Sequence, residues 1–201
     1  MPPRLRKLVL TAHVAASVGW LGAVLAYLAL AVTGVASEDA LLARAAYVSM
    51  ERIAMFVLVP FSFAALLTGL AQALGTEWGV FRHYWVLVKL VLTAVGTLVL
   101  LGHMRAVSRM SEIAGDATTS LADFEMLRHQ LVVHAAGGLI VLLTATALSV
   151  YKPWGRIRWS RTDDVVGGAR TPWGLYVLLG VAGLVLLRVL LHLVGGGMPG
   201  H

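Results

Sequence analysis

Four side chains that can bind a metal or carry a proton lie inside long apolar runs of this sequence: His13, Lys89, His103 and His134. Imidazole nitrogens bind transition metals and haem iron. Ionisable groups inside membrane-length apolar runs are costly, and they are functional residues by default. The spacing of these four residues decides which of them can share a site.

His103 and His134 are predicted to meet near one surface of the membrane. Each lies about 10 to 14 Å from the middle of its apolar run, on the same side of the centre. Gly137 and Gly138 leave room beside His134. A b-type haem needs two interior histidines on facing helices as axial ligands. Nearby arginines bind its propionates through charge-assisted hydrogen bonds. The available cations at that depth are Arg52, Arg105 and Arg188.

His13 is predicted to form a second site on the other half of the bundle, with Lys89 about 5 Å closer to the centre. Ser17 and Trp20 share the helical face of His13. His13 then either binds an inner cofactor itself or forms a hydrogen bond to another group that binds it. In the first case its second ring nitrogen should donate a hydrogen bond to a carbonyl or hydroxyl. The alternative is a histidine that only bonds the backbone of a neighbouring helix, a lysine that extends to the surface and a tryptophan that packs.

The other histidines are expected to be interface or tail residues, and participation of His83, His129 and His192 is left open. Six methionines fall on or near the same side as His103, and thioether with imidazole suits Cu(I). The same methionines also suit gap filling in an apolar core. They are Met50, Met55, Met104, Met110, Met126 and Met198.

The elements that must position these residues are membrane helices, because 59% of the 201 residues are hydrophobic and only 13% are charged. Five apolar runs are long enough to cross a bilayer: about 8–34, 53–74, 84–104, 131–151 and 173–194. The expected fold is an all-α integral membrane protein, a four-helix transmembrane bundle with a fifth peripheral helix. Residues 1–155 form the bundle, 156–172 an inner loop, and 173–201 the fifth helix and tail.

The net charge of +6 follows membrane sidedness and does not indicate nucleic acid binding. With a cytoplasmic N-terminus, nine cations lie in inner segments and five in outer ones. We therefore expect a multi-pass protein of the inner (plasma) membrane, with the N-terminus cytoplasmic and the C-terminus outside.

The absence of cysteine excludes disulfides, c-type haem attachment and cysteine-bound iron-sulfur clusters. No serine-histidine-aspartate set, phosphate loop or pair of interior carboxylates indicates hydrolysis. Helix boundaries are expected at Ser37 as an N-cap, at Pro60 as a kink, and at Ser120 with Asp123 as a capping box.

A resemblance adds to this interpretation. His13, Trp20 and Gly22, together with "LLTGLAQAL" and "YWVLVKLVLTAVGTLVLL", resemble the membrane superfamily that contains the copper resistance protein D domain and the haem-binding protoporphyrinogen oxidase of bacteria. "HAAGGLIVLLTATALSVYKPWG" is most similar to an uncharacterised branch of integral membrane proteins. The resemblance covers about residues 5–155. It implies functional roles for His13 and Lys89 and a link to haem or copper.

The sequence therefore predicts a membrane protein that binds one or two b-type haems and serves as an electron-transfer or redox subunit. Its expected surroundings are the lipid bilayer and a redox partner or a second copy of the chain. Copper transport or resistance is the alternative function. A second alternative is a non-catalytic assembly subunit.

Overall fold

The chain folds as an all-helical bundle. The computed structural model describes residues 2–75 and 84–151, which contain no strand. The helices are α1 (Pro3–Ala36), α2 (Ala40–Ile53), α3 (Val59–Gly75), α4 (Tyr84–Gly115) and α5 (Glu125–Tyr151). A π-helical segment, Ala54–Leu58, joins α2 to α3, and a 3-10 helix, Leu121–Phe124, precedes α5. The predicted inner loop and fifth helix lie outside the described residues.

Four helical stretches are long and apolar enough to cross a membrane. They are Pro3–Ala36, Ala40–Gly75, Trp85–Gly115 and Leu121–Tyr151. They match the first four apolar runs, so the prediction of an all-α bundle with four membrane-length helices is confirmed for this part of the chain. The side of the membrane on which each end lies stays a prediction.

Helices α1 and α4 lie diagonally across the bundle. Each packs against α2, α3 and α5. Because the chain reverses between successive long helices, α1 and α4 run in the same direction. We call the end where α1 and α4 begin the base end. The opposite end, which carries 36–53 and 105–130, is the cap end.

The largest fully buried apolar side chains lie at the cap end. Tyr47, Met50, Met110 and Leu131 are each 1% exposed, and Val107 is 2% exposed. These side chains come from α2, α4 and α5, which all continue past the apolar runs predicted from sequence. The cap end therefore has a packed interior of its own, as expected for helices that begin outside the bilayer.

Arg128 of α5 ties the end of α1 to this interior. Its guanidinium donates hydrogen bonds to the carbonyls of Gly34 at 2.8 Å and Val35 at 3.1 Å. It also donates to the Tyr47 hydroxyl at 3.0 Å. The last carbonyls of a helix have no partner within the helix and carry partial negative charge, so a cation there stabilises the helix end.

Arg44 of α2 plays the same part for α4. It donates to the carbonyls of Ile113 at 3.2 Å and Ala114 at 3.1 Å, and to those of Asp116 and Thr119 in the following turn. Hydrogen bonds from Thr119 and Thr118 lower the pKa of Asp116 to about 2. The Asp116 carboxylate is thus ionised at neutral pH and holds the turn that presents these carbonyls.

The helix boundaries differ from expectation at one position. The N-cap of α2 is Asp39, whose carboxylate accepts hydrogen bonds from the amides of Leu41 at 2.8 Å and Leu42 at 3.4 Å. Ser37 instead ends α1, and its hydroxyl accepts from the amide of Asp39. Aspartate prevails because its carboxylate also interacts favourably with the helix dipole.

The other two boundary signals correspond to real features. Ser120 accepts a hydrogen bond from the amide of Ala122 and caps the 3-10 helix. Within 84–151 the Asp123 carboxylate accepts no hydrogen bond from the Ser120 amide, so only half of the predicted capping box forms. Pro60, which has no amide hydrogen to donate, follows directly after the π-helical segment Ala54–Leu58. The irregularity expected near Pro60 is therefore present, and it takes the form of one wider helical turn.

We predict that Arg128→Ala lowers the free energy of unfolding by about 2 to 3 kcal/mol, because carbonyls at the end of α1 lose charged donors. Thermal unfolding of the full chain in detergent would measure this. Arg109→Ala, at an exposed position of α4, is the matched control, with an expected change within about 0.5 kcal/mol. Equal effects of the two substitutions would contradict a capping role for Arg128.

Candidate functional site

His13 of α1 faces the bundle interior and is 8% exposed. Its Nδ1 lies 3.1 Å from the Ala65 carbonyl and 3.1 Å from the Thr68 hydroxyl, both on α3. Its Nε2 lies 3.3 Å from the Lys89 ammonium of α4. His13 and Lys89, which the sequence placed at nearly the same depth, are in contact, and the second ring nitrogen has the expected partner.

These contacts assign the hydrogen of the imidazole ring. The Lys89 ammonium only donates, so Nε2 must accept. The Ala65 carbonyl only accepts, so Nδ1 must carry the hydrogen. His13 is therefore a neutral imidazole with its Nδ1–H fixed on a backbone carbonyl, which is the arrangement that orients metal-binding histidines.

Helix α3 supplies the other side of the site through Thr68, Gly69 and Gln72. The Thr68 hydroxyl donates to the Ala64 carbonyl, which holds its oxygen toward His13. A Cβ at Gly69 would lie 3.0 Å from Cε1 of His13, so only glycine leaves the ring its full space. Gln72 donates to the Val9 carbonyl at 3.2 Å and fixes α3 against α1 one turn below the histidine.

A cavity of about 90 Å³ lies between α1, α3 and α4 at this point. Its lining includes His13, Gly69, Gln72, Trp85, Lys89 and Thr93. The described lining residues supply an ammonium, an imidazole, an amide and a hydroxyl, and none of them carries a carboxylate. This cavity and its polar groups form what we call the base site.

The predicted outer pair also meets. The rings of His103 and His134 stack with their centroids 4.1 Å apart and an interplanar angle of 9°. His103 is 6% exposed. Nδ1 of His134 donates to the Gln130 carbonyl at 2.8 Å. The depth match read from the sequence is confirmed by this contact.

The stacked geometry does not fit two axial ligands on one iron. A metal lies about 2 Å from each imidazole nitrogen, so two rings on opposite sides of it have centroids roughly 6 Å apart. The rings of His103 and His134 are closer than that and present their faces to each other. In this geometry His103 and His134 therefore do not fit as the two axial ligands of one haem.

At the base site the donor chemistry suits haem iron, whereas the cavity in this arrangement of the helices is too small for a porphyrin. His13 has the carbonyl partner of a metal-binding imidazole. A cavity of about 90 Å³ is much smaller than the roughly 300 to 1,000 Å³ of pockets for drug-sized ligands. Lys89 also approaches the nitrogen that would bind iron.

The remaining predicted site residues are spread along the bundle. Trp20 is 5% exposed and packs over Gly96, where a Cβ would lie 3.7 Å from the indole. Arg52 and Arg105 are exposed at the cap end. Trp20 thus lies two turns above His13, between the base site and the stacked histidines. It is not among the described residues that line the base-site cavity.

The methionines have different surroundings, and Met104 packs against the apolar core. Met50 and Met110 are each 1% exposed and belong to the apolar core, whereas Met126 is 86% exposed and Met55 is 52% exposed. Met198 lies outside the described residues. Within 2–75 and 84–151, no group of three or more His, Cys, Asp or Glu residues can hold a metal ion.

Sequence reasoning missed the contribution of α3. Thr68 and Gln72 are polar residues four apart in an apolar run, and Gly69 lies between them. That spacing puts the two polar side chains on one helical face, which is the pattern in the sequence that indicates a polar face of α3. The acceptor itself, the Ala65 carbonyl, has no signature in the sequence.

No protein-family model, curated protein or solved structure matches this chain. The resemblance to the copper resistance protein D superfamily stays a prediction. The base site must be interpreted from its own geometry.

We predict that Gly69→Ala displaces the His13 ring and weakens its bond to the Ala65 carbonyl, because the new methyl group would lie 3.0 Å from Cε1. The ring-nitrogen chemical shifts of His13, measured by NMR in micelles, would report this change. Gly102→Ala is the control, since a Cβ there meets no atom within 4 Å. Unchanged His13 shifts in both variants would contradict the close packing of Gly69 on His13.

Proposed function

We propose that this protein binds a membrane-soluble ligand with a carboxylate or similar anionic head group, held by Lys89 and His13 at the base site. The observation that carries the proposal is an ammonium beside a cavity, with a neutral imidazole as its bonded partner. A charge inside a membrane bundle is stable only when it is paired or hydrated.

Among the described residues, no acidic side chain lies near Lys89 to supply its counter-charge. All acidic residues within 2–75 and 84–151 lie at the cap end: Glu38, Asp39, Glu51, Glu112, Asp116, Asp123 and Glu125. Lys89 lies five residues from the start of α4 at the base end, far from all of them. Glu77, Asp163 and Asp164 lie outside the described residues.

The size and lining of the cavity limit the ligand to a small head group. A space of about 90 Å³ accommodates a carboxylate with some water but excludes a large ring system. Lys89 has three N–H donors, of which His13 uses one. The rest of the ligand would lie between α3 and α4 or in the lipid beside them, since α1, α3 and α4 form the walls.

The base site thus combines two roles. Lys89 supplies the charge that attracts the anion, and His13, fixed through Nδ1, holds the ammonium in place through Nε2. The pair can also pass a proton between ligand and protein, because the acceptor nitrogen and the donor ammonium are in contact.

We predict that oleate binds the full chain in nanodiscs whereas its methyl ester, which has no charge, does not. Tryptophan fluorescence would report binding, since Trp85 lines the cavity. Lys89→Met should weaken oleate binding about tenfold or more, the effect of losing a charged hydrogen bond of about 1.5 to 3 kcal/mol.

Two control variants make this test specific. Lys7→Met removes a lysine from the exposed start of α1 and should leave binding unchanged. Glu77→Gln tests whether the chain supplies its own counter-charge, and it should also leave binding unchanged. Equal binding of the ester, or full binding by Lys89→Met, would contradict the proposal.

A b-type haem is the second candidate ligand, and the fixed Nδ1–H of His13 is the observation that favours it. Such a protein would serve in electron transfer as a redox subunit. Binding would require Lys89 to leave Nε2 and α3 to separate from α4.

For this second candidate we predict a Soret band in the purified full chain after expression with sufficient haem. His13→Ala should abolish the band, and His129→Ala, an exposed histidine of α5, should retain it. A preparation without any Soret band would eliminate haem and leave the anionic ligand as the proposal. A band that survives His13→Ala would eliminate His13 as the ligand.

A further inference from the structure

The described arginines of the cap end fall into two groups. Arg44 and Arg128 are partly buried and bond to backbone carbonyls at helix ends. Arg52, Arg105 and Arg109 are exposed on the outside of α2 and α4. The second group has no role in the fold described so far, so its position relative to the membrane needs an explanation.

On α4 the exposed face changes from apolar to cationic at one height. Leu98 is 66% exposed and Leu101 is 38% exposed, and the next exposed large side chains along this face are Arg105 and Arg109. In a bilayer such a change marks the boundary between hydrocarbon and head groups. Arg105 lies 21 residues beyond Tyr84, about 32 Å, which matches the hydrocarbon thickness of about 30 Å.

The neighbouring helix places the boundary at the same height. Phe56 is 70% exposed and Met55 is 52% exposed, and Arg52 is exposed one turn closer to the cap end. Glu51 faces the hydroxyls of Ser111 and Ser108 on α4 and is close enough to interact with both. These contacts bring Arg52 beside the segment of α4 that carries Arg105 and Arg109.

The acidic neighbours of this patch lie on its far side from the membrane. Glu51 is engaged by the two serines, and Glu112 is exposed one turn beyond Arg109. The side of the patch nearest the hydrocarbon is therefore cationic, with an apolar surface directly below it. A free anion would need only the charge, whereas a phospholipid would use the charge and the apolar surface together.

We propose that Arg52, Arg105 and Arg109 bind the phosphate of an anionic phospholipid whose acyl chains lie along Phe56, Leu98 and Leu101. Guanidinium groups bind phosphate oxygens in a bidentate geometry, and this favours a phosphate at the head-group level. The site is separate from the base site, since Arg105 lies about 24 Å from Lys89 along α4, and it does not depend on what binds there.

Photo-crosslinking of the full chain in liposomes tests the proposal. The probe is a phosphatidylglycerol that carries a diazirine near the glycerol end of one acyl chain, and a phosphatidylcholine with the same diazirine is the neutral comparison. We expect phosphatidylglycerol crosslinks on peptides containing Phe56 or Leu98 to Leu101. Arg105→Gln with Arg109→Gln should reduce them about 25-fold, at about fivefold for each cation near a membrane surface.

Three controls make each outcome decisive. Arg105→Lys with Arg109→Lys keeps both charges and should retain most of the crosslinks if the glutamine variant has folded normally. Arg4→Gln with Arg6→Gln removes the same charge at the base end and should leave these crosslinks unchanged. Millimolar inorganic phosphate should not compete.

Equal crosslinking by the phosphatidylcholine probe would overturn the proposal, and so would unchanged crosslinking in the glutamine variant. Loss of the phosphatidylglycerol crosslinks in millimolar phosphate would identify a site for free anions and would also overturn it. The thermal unfolding midpoint of each variant confirms that the comparison is between folded proteins.

Discussion

The contact between His13 and Lys89 links the two helices that lie diagonally across the bundle. These helices, α1 and α4, run in the same direction, so the contact fixes their relative height. Two turns farther along each helix, Trp20 packs over Gly96. Two more turns bring the side chain of Tyr27, 4% exposed, to the height of His103. A shift of one helix along the other would disrupt both contacts and the shared height of Tyr27 and His103 together.

Polar groups at the two ends of the bundle are satisfied in different ways. At the cap end, Arg44 and Arg128 bond to carbonyls of helix termini, so their charges serve the fold directly. At the base site, Lys89 bonds to a side chain that is itself fixed by a carbonyl, and a cavity remains beside it. At the base site an ammonium lies beside an open space, which makes this site the better candidate for ligand binding.

The sequence predicted the features that depend on helical rise and periodicity. The shared depth of His103 and His134, the interior position of His13 and its proximity to Lys89 all follow from counting residues along apolar runs. What it did not predict depends on side-chain orientation and on the backbone. The stacked rings of His103 and His134, the Ala65 acceptor and the choice of Asp39 over Ser37 as the N-cap are decided by local geometry that residue spacing does not contain.

The π-helical segment Ala54–Leu58 determines which face of α3 reaches the base site. One extra residue in a helical turn sets every residue after it back by about 100° around the helix axis, relative to a continuous α-helix. Ala65, Thr68 and Gly69 all come after that rotation and all contact His13. In a continuous α-helix of the same sequence those three residues would be rotated away from α1 by more than a quarter turn. The π-helical segment between α2 and α3 therefore rotates α3 so that the face carrying Ala65, Thr68 and Gly69 contacts His13.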